Sequence, residues 1–210
     1  MTEKAVEGPI KMKRRLRFFR QHSLETCGIS CILMVLDSCG RVQYPTVKQE
    51  RKLYGIYHCR AFKGTLASAI ADCLSRNSLN VEIFHSSVRY LDNHNGYYPE
   101  ALYRKILEEY TETVERMIDR VSVQTGCRIT PEWYRGELDQ EKLLIIQCII
   151  PGDADGMHDE TLHWILVYGY TDEVFLACDP LSGKICLTTD ELKHYAETPV
   201  GSICIVTSEV

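Results

Sequence analysis

The apolar residues in the second half of this chain follow a strand pattern, and this pattern constrains the fold more than any other feature of the sequence. After Lys142, short apolar segments alternate with the Gly, Asp and Pro residues that are typical of turns. In the first half, apolar residues recur instead at the three- and four-residue spacing of helices. The sequence therefore predicts an α+β fold with N-terminal helices packed on one side of a C-terminal antiparallel sheet. The predicted strands of that sheet are 143–150, 164–168, 174–178, 184–187 and 203–207.

Helical periodicity defines the elements of the first half. The predicted helices cover 27–37, 47–53, 65–75 and about 99–126, with a short strand at 81–84. A chain of 210 residues without internal repeats fits one domain, 1–210. Within that domain we expect the stretch at about 88–136 to form a helical insertion or cap.

Composition and charge exclude several classes of protein. Apolar residues make up 45% of the chain and charged residues 25%, as in ordinary globular proteins. A net charge of −5 argues against a nucleic-acid partner, and no segment approaches the roughly 20 apolar residues of a transmembrane helix. The ten cysteines include no Cys-x-x-Cys pair, and several lie in apolar runs, so we expect free thiols in a reducing cytoplasm. The oligomeric state is left open.

Cys27 is a candidate nucleophile because of its position in the predicted structure. It follows a polar loop and opens an apolar helix, so unsatisfied backbone N–H groups and the positive end of the helix lie beside its sulfur. Such surroundings favour the reactive thiolate form of a cysteine. By position alone, Cys27 also fits a role as one buried cysteine among ten.

Gln21 is a candidate oxyanion-hole residue. It lies six residues before Cys27, on the far side of the loop. From there a carboxamide N–H can join the backbone N–H of Cys27 at a developing oxyanion. The alternative is an ordinary surface glutamine in a polar loop.

His163 is the candidate base, because it lies at the start of an apolar strand whereas most of the other histidines have polar surroundings. The chain turns at 170–172 and returns to Asp179, so the two strands are predicted to form a hairpin. His163 and Asp179 would then be near neighbours across the ladder, within reach of a carboxylate–imidazole hydrogen bond. A hairpin with two solvated polar ends remains the alternative.

Other positions near these residues carry weaker expectations. Gly28 is expected to leave open space for substrate beside the Cys27 sulfur, and Trp164 either lines and shields the site or packs in the core. Cys27 and Cys31 lie four residues apart on one helix, but no further ligands with metal-site spacing follow, so no metal is predicted. No cofactor is predicted either. The acidic loop 152–160 lacks the full pattern of a calcium loop and is expected to gate the site.

Three sequence blocks resemble a known family. The block 20–31, Arg-Gln-His-Ser-Leu-Glu-Thr-Cys-Gly-Ile-Ser-Cys, is similar to the Gln-x5-Cys-Gly signature of the papain-like peptidases of family C39, which remove double-glycine leader peptides. The blocks 163–170 and 179–183 resemble that family's His-(Trp/Phe)-x-Val and Asp-Pro-x-x-Gly segments, and 64–70 is similar to its glycine-led helix. The resemblance covers about 21–85 and 140–190 and has no counterpart for 88–136.

The resemblance implies a papain-like fold with four site residues: Cys27 as nucleophile, His163 as general base and acid, Asp179 orienting His163, and Gln21 in the oxyanion hole. It implies a stand-alone cysteine peptidase that forms a thioester at Cys27 and cleaves a peptide or leader-peptide bond. An acyltransferase or transpeptidase with the same site, and a non-catalytic peptide-binding module of the same fold, are the alternatives. The expected partner is a peptide or acyl substrate.

Overall fold

A mixed α+β architecture is seen in the computed structural model, which describes residues 16–87, 98–150, 161–197 and 203–209. The helices of these ranges are α1 (Cys27–Ser38), α2 (Val47–Tyr57), α3 (Ala67–Arg76), α4 (Glu100–Met117), α5 (Pro131–Asp139) and α6 (Thr189–Ala196). The strands are β1 (Leu79–His85), β2 (Val121–Gln124), β3 (Leu143–Ile150), β4 (Thr161–Tyr170), β5 (Val174–Asp179), β6 (Gly183–Thr188) and β7 (Ile203–Glu209).

The strands form a seven-stranded sheet in the order β2-β1-β7-β3-β4-β5-β6. Every neighbouring pair is antiparallel except β1 and β2, which are parallel. The six predicted strands are thereby confirmed as members of one sheet. The last strand of the chain, β7, lies between β1 and β3 and joins the strand of the first half to those of the second.

Helices cover both faces of the sheet, so the expectation of helices on one side is wrong. Leu143 and Ile145 belong to a core shared with α1, α3 and α4, whereas Leu144 and Ile146 belong to a second core shared with α5 and α6. Alternate residues of a strand point to opposite faces. Because β3 is apolar at consecutive positions, both of its faces need a cover, and a strand buried on both sides reads as a continuous apolar run.

The long helix expected at 99–126 is shorter than predicted. It ends at Met117, and the chain turns and enters the edge strand β2 at Val121. The β-branched residues Val121 and Val123 favour a strand, and their pairing with β1 overrides the helical spacing of the apolar residues. The described part of 88–136 thus supplies α4, β2 and α5, and its standing as an insertion stays a prediction; residues 88–97 lie outside the described ranges.

Helix α1 is the central element of the first core, as its apolar sequence predicts. Each residue from Cys27 to Leu36 is buried, and the helix packs on α2, α3 and strand β4. It ends at Ser38, with Cys39 as its C-cap, and the following Gly40 takes a positive φ of 67° that favours glycine. Within the described ranges, no helix has both the length and the apolar composition needed to cross a bilayer.

Candidate active site

Cys27 is the first residue of α1 and is only 5% exposed. The residue before it, Thr26, occupies the N-cap position but makes no side-chain capping bond to the helix, and the first turn holds no acidic residue. The backbone N–H groups at this end of the helix are therefore not taken up by a capping side chain. A negative charge on the Cys27 sulfur would lie beside them, where the helix end stabilises anions.

His163 is buried near the start of β4, where it pairs across the ladder with Cys148 of β3. Its Nε2 atom lies 2.8 Å from Oδ1 of Asp179 in a hydrogen bond. This bond fixes the plane of the imidazole and leaves Nδ1 as the ring nitrogen available to another partner. Cys27 lies near enough to His163 to contribute to the raised pKa of the histidine.

Burial and neighbouring groups shift the pKa of His163 in opposite directions. Burial by itself lowers this pKa, but the hydrogen bonds to Asp179 and Cys27 and the negative charges of both partners raise it to about 9. At neutral pH the imidazole is therefore protonated. A positive charge on this buried imidazole would attract an anionic group placed beside it.

Asp179 carries hydrogen bonds on both carboxylate oxygens. Oδ1 accepts from His163 and from the backbone N–H of Leu181 at 2.8 Å, and Oδ2 accepts from the hydroxyl of Ser182. Burial alone raises the pKa of Asp179, but these bonds and the charge of His163 lower it to about 2. The carboxylate thus stays ionised throughout the neutral range.

A β-bulge brings Asp179 to the same face as His163. The ladder between β4 and β5 ends with Leu166 opposite Cys178, and the register shifts by one residue between Val167 and Gly169. If the pairing of Leu166 with Cys178 is extended by one residue, Asp179 lies opposite position 165, on the same face of the sheet as His163. Without the bulge, Asp179 would lie opposite Leu166, on the other face. The two residues are diagonal neighbours rather than directly opposed, and they meet just beyond the ladder.

Gln21 lies in the loop before α1 and is 8% exposed, so it is not a surface glutamine. Its Nε2 donates to the carbonyl of Ser23 at 2.9 Å, while its Oε1 is buried and has no hydrogen-bond partner in the described part of the chain. Exchanging the two amide atoms would set Oε1 against the Ser23 carbonyl, so this orientation is the favourable one. The second N–H of the carboxamide is left for another acceptor.

Gly28 is packed, and the open space expected beside it is absent. A Cβ atom at residue 28 would lie 3.0 Å from Thr65 Cβ, 3.1 Å from Ile70 Cδ1 and 3.2 Å from Trp164 Cδ1. Trp164 is itself buried, and its indole N–H donates to the Thr65 carbonyl at 2.9 Å. The glycine therefore lets α1 approach β4 and α3 closely. A role of Gly28 or Trp164 in binding substrate stays a prediction.

Two residues at this site were missed in the sequence. Ser182 lies three residues after Asp179 in a turn, and its hydroxyl donates to the Asp179 carboxylate. Glu50 was missed because it lies on an otherwise polar helix; it is the one buried residue of α2 and contacts the loop before Cys27. Nothing in the local sequence distinguishes it from a surface glutamate.

Within the described ranges, no group of three or more His, Cys, Asp or Glu side chains is placed to hold a metal ion. The acidic loop 152–160, expected to gate the site, lies outside the described residues. A thiol, an imidazole and a carboxylate such as those of Cys27, His163 and Asp179 are groups that can act as a nucleophile and an acid–base pair.

Comparison with known proteins defines the class of fold. A double glycine motif protease from an AMS/PCAT transporter, solved in complex with the leader peptide, superposes with a TM-score of 0.50 and 13% sequence identity, over 98% of this chain and 100% of that one. The chain thus has a mixed α+β fold like that of a peptidase. A protein from Bacillus anthracis described as a C39-like peptidase gives a TM-score of 0.47 and 11% identity over 94% of this chain and 98% of its own. No protein-family model and no curated protein matches the sequence.

Proposed function

We propose that this chain is a papain-like cysteine peptidase, similar to family C39, with Cys27 as nucleophile, His163 as general base and acid, and Asp179 orienting His163. The observation that carries the proposal is the buried imidazole of His163, which bonds Asp179 through Nε2 and lies near enough to Cys27 for that residue to contribute to its raised pKa. A thiol, an imidazole and a carboxylate in this order form the arrangement that activates a nucleophile for acyl transfer.

The first half-reaction forms a thioester. The Cys27 thiolate attacks the carbonyl carbon of the scissile peptide bond, and the carbonyl oxygen becomes an oxyanion. The backbone N–H of Cys27 and the free carboxamide N–H of Gln21 donate to that oxygen. When the C–N bond breaks, His163 gives its proton to the leaving amine, which departs as a neutral group.

The second half-reaction releases the acyl group. His163, now neutral, takes a proton from an incoming water molecule, whose oxygen attacks the thioester carbonyl. The C–S bond breaks, the carboxylic acid leaves, and the Cys27 thiolate and the His163 imidazolium are restored. An amine in place of water would give a transferase or transpeptidase by the same steps.

A peptide is the proposed substrate. The fold neighbour with a TM-score of 0.50 is a double glycine motif protease in complex with a leader peptide, which supports a peptide or leader-peptide bond as the one that is cleaved. The sequence blocks at Gln21–Cys27, His163 and Asp179 resemble those of the same family, which adds independent support from the residues themselves.

Alkylation of Cys27 tests the nucleophile. Burial raises the pKa of Cys31, Cys148 and Cys204 well above the ordinary range and that of Cys178 to about 12, so these thiols react slowly. Limiting iodoacetamide, followed by peptide mass mapping, should label Cys27 first. The partly exposed cysteines at 39, 127 and 186 are internal references. Labelling of Cys27 no faster than these three would contradict the proposal and favour a peptide-binding module.

Turnover of a peptide separates the enzymatic alternatives. The protein is incubated with a peptide that carries a double-glycine motif, with and without added hydroxylamine, and the products are weighed by mass spectrometry. Hydrolysed product that is absent with Cys27→Ala supports the peptidase. Aminolysed product alone would instead favour the transferase, and equal cleavage by wild type and Cys27→Ala would contradict both.

A further inference from the structure

Glu50 is a buried carboxylate beneath the start of α1. It is 1% exposed, and it is the one residue of α2 whose side chain is buried. A charged group is costly to bury without hydrogen-bonding partners. Oε1 of Glu50 has three: the backbone N–H of His22 at 3.1 Å, the hydroxyl of Thr26 at 2.6 Å and the hydroxyl of Ser30 at 3.2 Å. These donors come from the loop before Cys27 and from the first turn of α1.

The fourth contact of Glu50 lies on its other oxygen. Oε2 is 3.1 Å from Nδ1 of His22, in a contact whose geometry is not that of a hydrogen bond. The imidazole of His22 is 48% exposed, so it covers the carboxylate from the solvent side. Both ends of the loop between Gln21 and Cys27, His22 and Thr26, thus contact one carboxylate of α2.

Four helices have a threonine at the N-cap, and the hydroxyl group of Thr26 is bonded differently from the other three. Thr26, Thr46, Thr130 and Thr188 occupy the N-cap positions of α1, α2, α5 and α6. The last three each accept a bond from an N–H of their own helix, whereas Thr26 does not. The Thr26 hydroxyl lies 2.6 Å from Oε1 of Glu50 and 2.9 Å from the Ser23 carbonyl, and the charged carboxylate is the stronger of these two acceptors. The Thr26 side chain is thus directed toward Glu50 and Ser23, and its backbone departs from the extended conformation of the other three N-caps.

Thr26 also contacts the partner of the Gln21 carboxamide. The carbonyl of Ser23 accepts from the Thr26 backbone N–H at 3.1 Å, lies 2.9 Å from the Thr26 hydroxyl, and accepts from Nε2 of Gln21 at 2.9 Å. The Ser23 carbonyl is the hydrogen-bond partner that fixes the Gln21 amide. Glu50 is thus connected to both proposed oxyanion donors, to Gln21 through Thr26 and Ser23 and to Cys27 through Thr26 and Ser30.

We infer that Glu50 is a positioning residue of the oxyanion hole: its carboxylate holds His22, Thr26 and Ser30, and through them the first turn of α1 that carries the Cys27 N–H and the Ser23 carbonyl that bonds the Gln21 carboxamide. This inference rests on the proposed function of Cys27. Glu50 acts through other residues and does not touch the reacting atoms. Its loss should slow reactions that form an oxyanion and leave reactions without one unchanged.

Two probes separate these reactions. p-Nitrophenyl acetate acylates a thiolate through an oxyanion, and its p-nitrophenolate leaves without needing a proton from His163. Iodoacetamide alkylates the same sulfur by displacing iodide, and no oxyanion forms. The Cys27-dependent rate of each is the difference between a variant and the same variant carrying Cys27→Ala. The variants are Glu50→Ala, Glu50→Gln, which keeps an acceptor oxygen, and Arg51→Ala, an exposed change on the same helix.

We expect Glu50→Ala to lower the acylation rate by about 10- to 100-fold while alkylation stays within about threefold of wild type. Glu50→Gln should restore most of the acylation rate, and Arg51→Ala should match wild type in both. If acylation by Glu50→Ala is unchanged, or if both rates fall together, the assignment of Glu50 is overturned. Equal acylation by wild type and Cys27→Ala overturns the proposed function itself, and the assignment with it.

Thr26→Val carries the test if Glu50→Ala does not fold. It removes the shortest bond to Glu50 and keeps the size of the side chain. Thr26→Val must show slower acylation by p-nitrophenyl acetate and an unchanged rate of alkylation by iodoacetamide. Equal rates for Thr26→Val and wild type in both reactions would overturn the inference.

Discussion

The backbone N–H of Gln21 donates to the carbonyl of Pro180 at 3.0 Å, and this bond joins the two halves of the candidate site. Gln21 belongs to the loop before α1, and Pro180 directly follows Asp179 at the end of β5. The residues are far apart in the chain, so the bond closes a long loop. It fixes the backbone of Gln21, on the oxyanion side of the site, beside the end of β5, which carries Asp179.

The first prediction concerns the carboxylate of Asp179. Asp179→Asn keeps the size of the side chain and an acceptor oxygen but removes the negative charge that helps to raise the pKa of His163 to about 9. We expect the pKa of His163 to fall and kcat/KM for peptide cleavage to fall by on the order of 10²- to 10⁴-fold. NMR titration of labelled histidine rings measures the pKa of His163, and cleavage kinetics measure kcat/KM. An unchanged titration would contradict the role of Asp179.

The second prediction concerns the dependence of activity on pH. His163 must be protonated to give its proton to the leaving amine, so peptide cleavage should hold up to about pH 9 and decline above it. The raised pKa also adds folding free energy that is fully present below the unfolded value of about 6.5 and is lost as pH rises through about 9. Measurements of kcat/KM and of the free energy of urea unfolding at a series of pH values check both statements. A decline of either quantity that begins near pH 7 would contradict the corresponding statement.

The third prediction concerns Gly28. An added methyl group would press on Thr65, Ile70 and Trp164 at 3.0–3.2 Å, and the bond from Trp164 to the Thr65 carbonyl holds two of these neighbours in place. We expect Gly28→Ala to lower the free energy of unfolding by about 1–2 kcal/mol, because overpacking outweighs the better helix propensity of alanine. Chemical denaturation measures the change.

Gly55 is the matched control for that prediction. It also lies within a helix, α2, but apart from its chain neighbours and the nearby backbone of its own helix, no heavy atom lies within 4 Å of where its Cβ would be. Gly55→Ala should therefore stabilise the protein by about 0.5–1 kcal/mol. Equal changes in the free energy of unfolding for the two substitutions would show that the close packing at Gly28 does not affect stability.

The fourth prediction concerns Ser182. Its hydroxyl donates to Oδ2 of Asp179 and helps to lower the pKa of that carboxyl to about 2. Ser182→Ala should raise the pKa of Asp179 and lower cleavage by about 3- to 10-fold, since one hydrogen bond to a charged group is worth about 1 kcal/mol at a partly exposed position. Ser182→Thr keeps the hydroxyl and should retain the wild-type rate. Loss of activity in both variants would point to the shape of the turn instead.

The secondary structure was largely readable from the sequence because it depends on local periodicity. The apolar run at Leu143–Ile150 and the helix that begins at Cys27 were found at nearly their observed bounds. The helix at 99–126 was overextended, because Val121 and Val123 satisfy a helical spacing as well as an edge strand, and only the pairing with β1 decides between them. The short helices α5 and α6 were missed, since neither has a long apolar stripe.

The sequence by itself determined which groups could carry chemistry here: a cysteine at the start of an apolar helix, a histidine in a strand, and an aspartate on the next strand. Local patterns report these placements, since helices and strands form from neighbours in the chain. Only the tertiary structure decided that a bulge turns Asp179 to the face of His163, that Gly28 is packed against Trp164, and that Glu50 fastens the loop before Cys27. Those outcomes depend on contacts between residues distant in the chain, and the free energy of such contacts is set by packing and burial, which no local pattern records.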